Sequence, residues 1–244
     1  MKQVIGITLA FVVLGVASAS SQTGASLPSA DDVVAKMMRV DADHRSELRG
    51  YTATRRYVAE NRDRRAEMLV HVDCSPDGTK QFTIISEEGS KSIRKQVFHK
   101  ILNEESEASR RESRDGSRIT PENYRFNVVG QQALDTGLAY VLAIIPRTDN
   151  KHLIDGRIWV NAKDFSIVRV EGKPARNPSF WVHDVHFVHS YQRVGPFWLA
   201  ASTHSTSEVR IFGPSTLTID NSDYVLNPLN TRTAETDSIA RLVP

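Results

Sequence analysis

Hydrophobic positions along this chain change period several times, and each change marks an element. Val33, Val34, Met37 and Met38 recur at helical spacing, with Ala42 in the same series. Ser29 stands before them as an N-cap, and Asp32, three residues on, can answer it as a capping-box partner. The spacing predicts a helix over 30–47 that ends near Gly50. From Tyr51 the period becomes two. Residues 51–57 predict a first strand and 65–74 a second. Pro76-Asp77-Gly78 is a turn signal, because Pro fixes φ and Gly admits positive φ. Residues 79–86 are then the third strand, closing a hairpin over 65–86.

Helical spacing returns at 90–113. Ile93, Val97, Ile101 and Leu102 recur at i, i+4 and i+8, with Phe98 beside them, and most of the other residues are Lys, Arg, Glu and Gln. That is an amphipathic helix with one narrow apolar stripe. No apolar periodicity runs from 103 to 118, which predicts fraying there. Beyond Pro121 the chain alternates strand patterns with short turns. Strands are expected at 123–129, 138–145, 157–162, 166–172, 180–194, 197–212 and 215–226. Connections this short favour antiparallel neighbours in a meander. The expected fold is mainly β (α+β). About ten antiparallel strands form a strongly curved sheet, an incomplete barrel, with two helices as lid or plug in its hollow.

The N-terminus adds a destination. Lys2 is a positive n-region, 4–16 is an apolar stretch of about 13 residues, and Ala17-Ser18-Ala19 is a small-residue cleavage site. A spanning helix needs roughly 20 apolar residues, so a cleaved signal peptide at 1–19 is preferred over an uncleaved anchor. No Cys lies near the cleavage point to carry a lipid. The expected domain plan is signal peptide 1–19, flexible leader 20–28, one domain over 29–226 and a loose tail over 227–244. The location is periplasmic, exported and not lipidated.

A formal net charge of +2, with acidic and basic residues interspersed, does not imply nucleic acid. Cys74 is the only cysteine and cannot form an internal disulfide. It reads as a buried strand residue rather than a reactive thiol. Enzyme motifs are sparse, with no G-x-S-x-G, H-E-x-x-H, Gly-rich phosphate loop or C-x-x-C. His183, His186 and His189 could line one side of a helix as metal ligands. On a strand, however, His183 and His189 share one face and His186 takes the other, so the three cannot hold one ion. Glu87-Glu88 and Glu104-Glu105 read as solvated carboxylates, since an acid–base pair needs burial to separate its two pKa values. No catalytic residue, metal or cofactor is expected. The C-terminal strands are rich in aromatics (Trp159, Phe180, Trp181, Phe187, Phe197, Trp198). Val141 and Ile145 lie opposite Tyr140, Leu142 and Ile144, so the sheet is apolar on both faces and both faces require cover.

Residues 155–172, Asp-Gly-Arg-Ile-Trp-Val-Asn-Ala-Lys-Asp-Phe-Ser-Ile-Val-Arg-Val-Glu-Gly, resemble the central hairpin of outer-membrane lipoprotein-sorting proteins and their LolA-like relatives. Residues 193–199, Arg-Val-Gly-Pro-Phe-Trp-Leu, are similar to the following G-x-W-L-P turn, with Ala200 in place of Pro. The strand at 51–57 after a helix resembles the first strand. The likeness spans roughly 30–226. It implies a half-barrel whose apolar hollow, lidded by helices, holds acyl chains or another lipid. It also implies an Arg on an early strand, here Arg55 or Arg56, that helps hold the lid. The cavity and lid residues expected on this basis are Ile93, Val97, Ile101, Tyr140, Leu142, Ile144, Trp159, Val168, Val170, Trp181 and Trp198. The expected function is a periplasmic carrier or chaperone of a hydrophobic ligand, an acyl chain or lipid, in outer-membrane lipoprotein sorting. A lipoprotein and a membrane-bound donor or acceptor would be its partners. The alternative is a non-catalytic envelope sensor or structural binding module of the same fold.

Overall fold

The computed structural model describes residues 27–110, 115–177, 182–210 and 213–227. The signal peptide, nearly all of the leader, the tail beyond Asn227 and Trp181 lie outside the described residues. Helix α1 spans Ala30–Glu47. The Ser29 side chain accepts from the Asp32 backbone N–H at 3.1 Å and donates to the Asp32 carboxylate at 2.7 Å, so the expected cap forms. Asp31 and Asp32 in the first turn and Arg45 in the last complement the helix dipole.

Ten strands follow in one sheet: β1 Tyr51–Asn61, β2 Arg64–Cys74, β3 Lys80–Gly89, β4 Tyr124–Leu134, β5 Gly137–Pro146, β6 Ile154–Asn161, β7 Ile167–Pro174, β8 Val182–Val194, β9 Phe197–Val209 and β10 Gly213–Leu226. Their order is β3-β2-β1-β10-β9-β8-β7-β6-β5-β4, with every neighbouring pair antiparallel. β3 and β4 are the two edges, so the sheet stays open rather than closing into a barrel. The β1–β10 pairing joins the first strand to the last and is the single long-range closure; the other neighbours are consecutive in sequence.

One face of the sheet carries the core. On β1, Tyr51, Ala53, Tyr57 and Ala59 are buried together with Arg55, at alternate positions, and Met68, Val70 and Val72 of β2 lie opposite them. The inner face of β4–β7 is filled by α1: Val33, Val34 and Met37 pack on Tyr124, Leu142, Ile144, Ile158, Val160 and Val170. Each of these side chains gains about 1.5–3 kcal/mol from leaving water, which fixes α1 across that end. Gly156 and Gly172 face each other across β6 and β7. A Cβ on Gly156 would sit 2.7 Å from Gly172 Cα, and one on Gly172 would sit 2.9 Å from Gly156 Cα, so the hairpin closes there only with glycine on both sides.

The other end is covered by a second helical unit. It consists of α2 (Lys91–Ile93), a π-helical stretch (Arg94–Phe98) and α3 (His99–Ala108). The π turn inserts one residue, with the His99 N–H bonding to the Arg94 carbonyl. The deepest side chains are therefore Ile93, Phe98 and Leu102, and the i+4 series continues half-buried at Val97 and Ile101. Fraying from 103 is not observed: α3 runs on to Ala108, with Ser109 as its C-cap.

The outer face has its own apolar cluster of Ala139, Val141, Trp159 and Val168, with Leu134 and Trp198 against it. Its cover comes from long cationic side chains. The Arg169 guanidinium lies 4.8 Å from the Trp159 ring centre and that of Arg193 lies 5.8 Å from Trp198. Trp159 also donates to Gln132 at 2.7 Å, and Trp198 donates to Asp164 at 2.9 Å.

Candidate functional site

Between the two helix-covered ends, the inner face of β8 and β9 forms the floor of a hollow. Register places Phe187, His189, Tyr191, Thr203 and Ser205 on that floor, all half-buried, while Leu217 and Ile219 of β10 pack under the second helical unit. His189 Nδ1 and the Thr203 hydroxyl share a hydrogen bond of 2.5 Å, and the His189 ring meets Tyr191 edge-on at 4.8 Å. Burial, with the Lys80 and Arg55 cations nearby, lowers the His189 pKa to about 4. The imidazole is therefore neutral across the physiological range.

The histidine series differs from simple alternation. Asp184 sits at φ +51° in a bulge between His183 and His186, which pair with Glu208 and Thr206. The extra residue restores phase, so His183 and His186 share the outer face and His189 alone faces the hollow. Among the described residues, no group of three or more His, Cys, Asp or Glu is placed to hold a metal. Cys74 is buried on the inner face of β2.

A buried ion-pair cluster ties the second helical unit to the sheet. Arg55, 6% exposed at its side chain, donates from Nη1 to Glu105 Oε2 at 2.6 Å and to the Tyr57 hydroxyl at 3.1 Å, and from Nε to Asn221 at 2.7 Å. Its guanidinium lies 5.5 Å from the Phe82 ring centre. Lys80 of β3 reaches the other Glu105 oxygen at 2.7 Å. Burial opposes ionisation of Glu105, but Lys80 and Arg55 outweigh it and hold the carboxyl at about 2. Ser109 strengthens the same junction by accepting from the Lys80 backbone N–H at 2.9 Å. Arg56, one residue from Arg55, points to the outer side and pairs with Glu67. The two arginines thus take opposite faces of β1, and Arg55 is the one that meets the helix.

Glu105 and Glu87 are not solvated surface carboxylates. Glu87 binds Arg94 at 2.8 Å and His99 at 2.7 Å and is held below the usual carboxylate range. The signal for Glu105 lies in its spacing, three residues after Leu102 on the buried face of α3.

The hollow deepens under the C-terminal half of α1 into a cavity of about 430 Å³. Met37 and Met38 of α1 and Leu48, its C-cap, line it on one side, with Phe165, Ile167, Tyr191, Phe197 and Leu199 from the sheet side and Ile119 beside them. Phe165 stands at φ +57° in the β6–β7 turn and stacks on Tyr140, with ring centres 6.2 Å apart. Burial pushes the Tyr191 phenol up to about 12, with Asp41 adding to the effect. A volume in the range of about 300–1,000 Å³ and a mainly apolar wall suit a small hydrophobic ligand.

The expected cavity and lid residues are distributed over four places. Leu142, Ile144 and Val170 are in the packed core beneath α1, and Tyr140 is at its margin beside the cavity. Trp159 and Val168 are in the outer cluster with Trp198 packed against it, though Trp198 also borders the cavity. Ile93, Val97 and Ile101 pack over β1–β3 and β10. Trp181 lies outside the described residues.

Solved structures similar to this chain include LolA-like proteins. One is a DUF1329 family protein from Desulfovibrio piger (11% identity, 87% of this chain and 99% of that one, TM-score 0.44). A second is a lipoprotein-sorting protein domain, so described, from Vibrio parahaemolyticus (14% identity, 86% and 99%, TM-score 0.42). A third is a LolA superfamily protein from Nitrosomonas europaea (11% identity, 84% and 97%, TM-score 0.40). No family model and no curated protein matches the chain.

Proposed function

We propose that this protein is a periplasmic carrier that shelters a hydrophobic ligand, the acyl chain of a lipid or lipoprotein, within its half-barrel. The observation that carries this reading is the apolar cavity of about 430 Å³ between α1 on one side and the β6–β7 turn and β7–β9 on the other. A chain of about 16 methylenes gains on the order of 10 kcal/mol on leaving water, at about 0.8 kcal/mol per methylene. The cost of ordering and of opening the site reduces that gain to a reversible affinity. The two helical units act as covers. α1 is anchored by one packed core and the 91–108 unit by another, with Glu105 tying its C-terminal end to the sheet, and release of that unit would widen the hollow over β8–β9. Such binding needs no catalytic group. Exchange with a membrane-bound donor or acceptor, as in outer-membrane lipoprotein sorting, would load and empty the hollow. The signal-peptide pattern at 1–19 supports the location.

The test is titration of the wild-type protein and of Met38→Trp with an uncharged apolar fluorophore such as N-phenyl-1-naphthylamine. Met38 lines the cavity and is only half-buried, so an indole there fills space without dismantling the core. Saturable uptake by the wild type and at least tenfold weaker uptake by a folded Met38→Trp are expected. Absence of saturable uptake by the wild type would overturn the carrier reading.

A further inference from the structure

Phe165 sits in the β6–β7 turn at φ +57°, a left-handed position that Gly or Asn ordinarily fills and a bulky side chain rarely does. The turn holds it there. The Phe165 N–H donates to the Asn161 carbonyl and the Asn161 N–H to the Ser166 carbonyl, both at 2.9 Å. The Asn161 side chain accepts from the Lys163 and Asp164 N–H groups at 2.8 and 3.3 Å. The Asp164 carboxylate accepts from Arg193 and Trp198, both at 2.9 Å, which ties the turn to β8 and β9. Nothing in this network requires an aromatic ring. A strained, bulky residue held so firmly points to a role for its side chain.

The ring lines the cavity and also stacks on Tyr140. Lys36 of α1 closes over it, with Nζ 4.7 Å from the ring centre. Tyr140 and Leu138 are two residues apart on β5, so they share its inner face. Neither lines the cavity, and Leu138 is 48% exposed. Apolar surface therefore continues past Phe165, and the ring separates it from the cavity. We propose that Phe165 is the end-stop of the cavity and sets the longest apolar chain that the cavity accepts. This rests on the carrier reading above and specifies its ligand by length.

Displacement of N-phenyl-1-naphthylamine by unbranched primary alcohols from octanol to hexadecanol tests the proposal on the mature protein. In the wild type each added methylene should tighten competition roughly 4-fold until the chain meets Phe165, after which affinity levels off. Phe165→Gly removes the ring and relieves the backbone, so its levelling point should move to longer alcohols. An alcohol two methylenes past the wild-type limit should bind that variant roughly 10-fold better than it binds the wild type. Phe165→Trp should move the limit to shorter alcohols, which keeps the stop testable if the glycine variant does not fold. The stop is overturned, and the carrier reading left standing, by the same limit in the wild type and in every folded variant, by no limit up to hexadecanol in the wild type, or by uniform weakening of all the alcohols in Phe165→Gly. If the fluorophore does not bind the wild type at all, both fall together.

Discussion

Replacing Glu105 by Gln isolates the junction that fastens the 91–108 helical unit. The substitution keeps the shape of the side chain and removes its charge. It leaves Arg55, 6% exposed, without its buried counter-ion and Lys80 without its partner. The carboxyl titrates at about 2 in the folded protein against 4.5 for the free group. A folded-state pKa depressed in this way contributes stability that is present above the unfolded pKa and is lost as pH falls through the folded one. At 1.36 kcal/mol per pH unit the shift corresponds to roughly 3 kcal/mol at neutral pH. Because the side chain is 27% exposed, solvent screening places the expected cost of Glu105→Gln nearer 2–3 kcal/mol. At pH 3 the wild-type carboxyl has lost most of its advantage, and the same linkage leaves roughly 1 kcal/mol. Urea denaturation of both proteins at pH 7 and pH 3 measures the two gaps, and all other titrating groups cancel in the difference. The gap should narrow by about 1–2 kcal/mol on acidification. A gap that stays constant to within about 0.5 kcal/mol between the two pH values would refute the claim that Glu105 is held ionised by Arg55 and Lys80.

Three further outcomes follow from the same contacts. Phe98→Ala should cost about 3–5 kcal/mol and Val97→Ala distinctly less, because the π turn makes Phe98 the fully buried member of the pair; chemical denaturation giving the reverse order would contradict the π register. His189 should titrate near pH 4 in a proton NMR series, so that stability falls as pH drops from about 6.5 towards 4; a midpoint above 6 would show that the floor of the hollow is wet. Gly172→Ala should destabilise the β6–β7 hairpin by more than the roughly 1 kcal/mol of an ordinary strand substitution, since its Cβ would press on Gly156 Cα at 2.9 Å; a thermal shift of less than a degree would mean that the strands can separate there at little cost.

The family resemblance made Arg55 and Arg56 candidates for the lid contact, and the pattern along β1 did not choose between them. A strand's two faces are equivalent until something covers one of them, and the choice was made by α3, which brings Glu105 to the inner side. The signal for Glu105 was local, its spacing from Leu102, yet it was masked by charged neighbours, since Glu104 and Glu105 look alike in sequence and only docking buries the second. In the same helix the i, i+4 series through Val97 assumed 3.6 residues per turn throughout, and the π turn moved the deep position to Phe98. The histidines behave in the same way: period-two reasoning on β8 holds only until the bulge at Asp184 adds a residue. Both errors are one-residue phase shifts, and such shifts arise from packing against neighbours rather than from the segment itself.

Local chemistry settled a great deal. The N-cap at Ser29, the break at Gly50, the Pro76-Asp77-Gly78 turn and the run of strands after Pro121 are short-range effects of side-chain oxygens, ring-fixed φ and apolar period, and they placed α1 and the ten strands to within a few residues. A single antiparallel sheet followed as well, because connections of a few residues leave little topological choice. What the chain's local pattern left open is where empty space would remain. Leu142, Ile144 and Val170 are as apolar as Met38, Phe197 and Leu199, yet the first three are packed solid beneath Val33 and Met37 while the last three face the cavity. Hydrophobicity records that a side chain leaves water, not whether protein or a ligand will take the water's place. That difference depends on how far α1 reaches across the curved sheet, which only the tertiary structure decides.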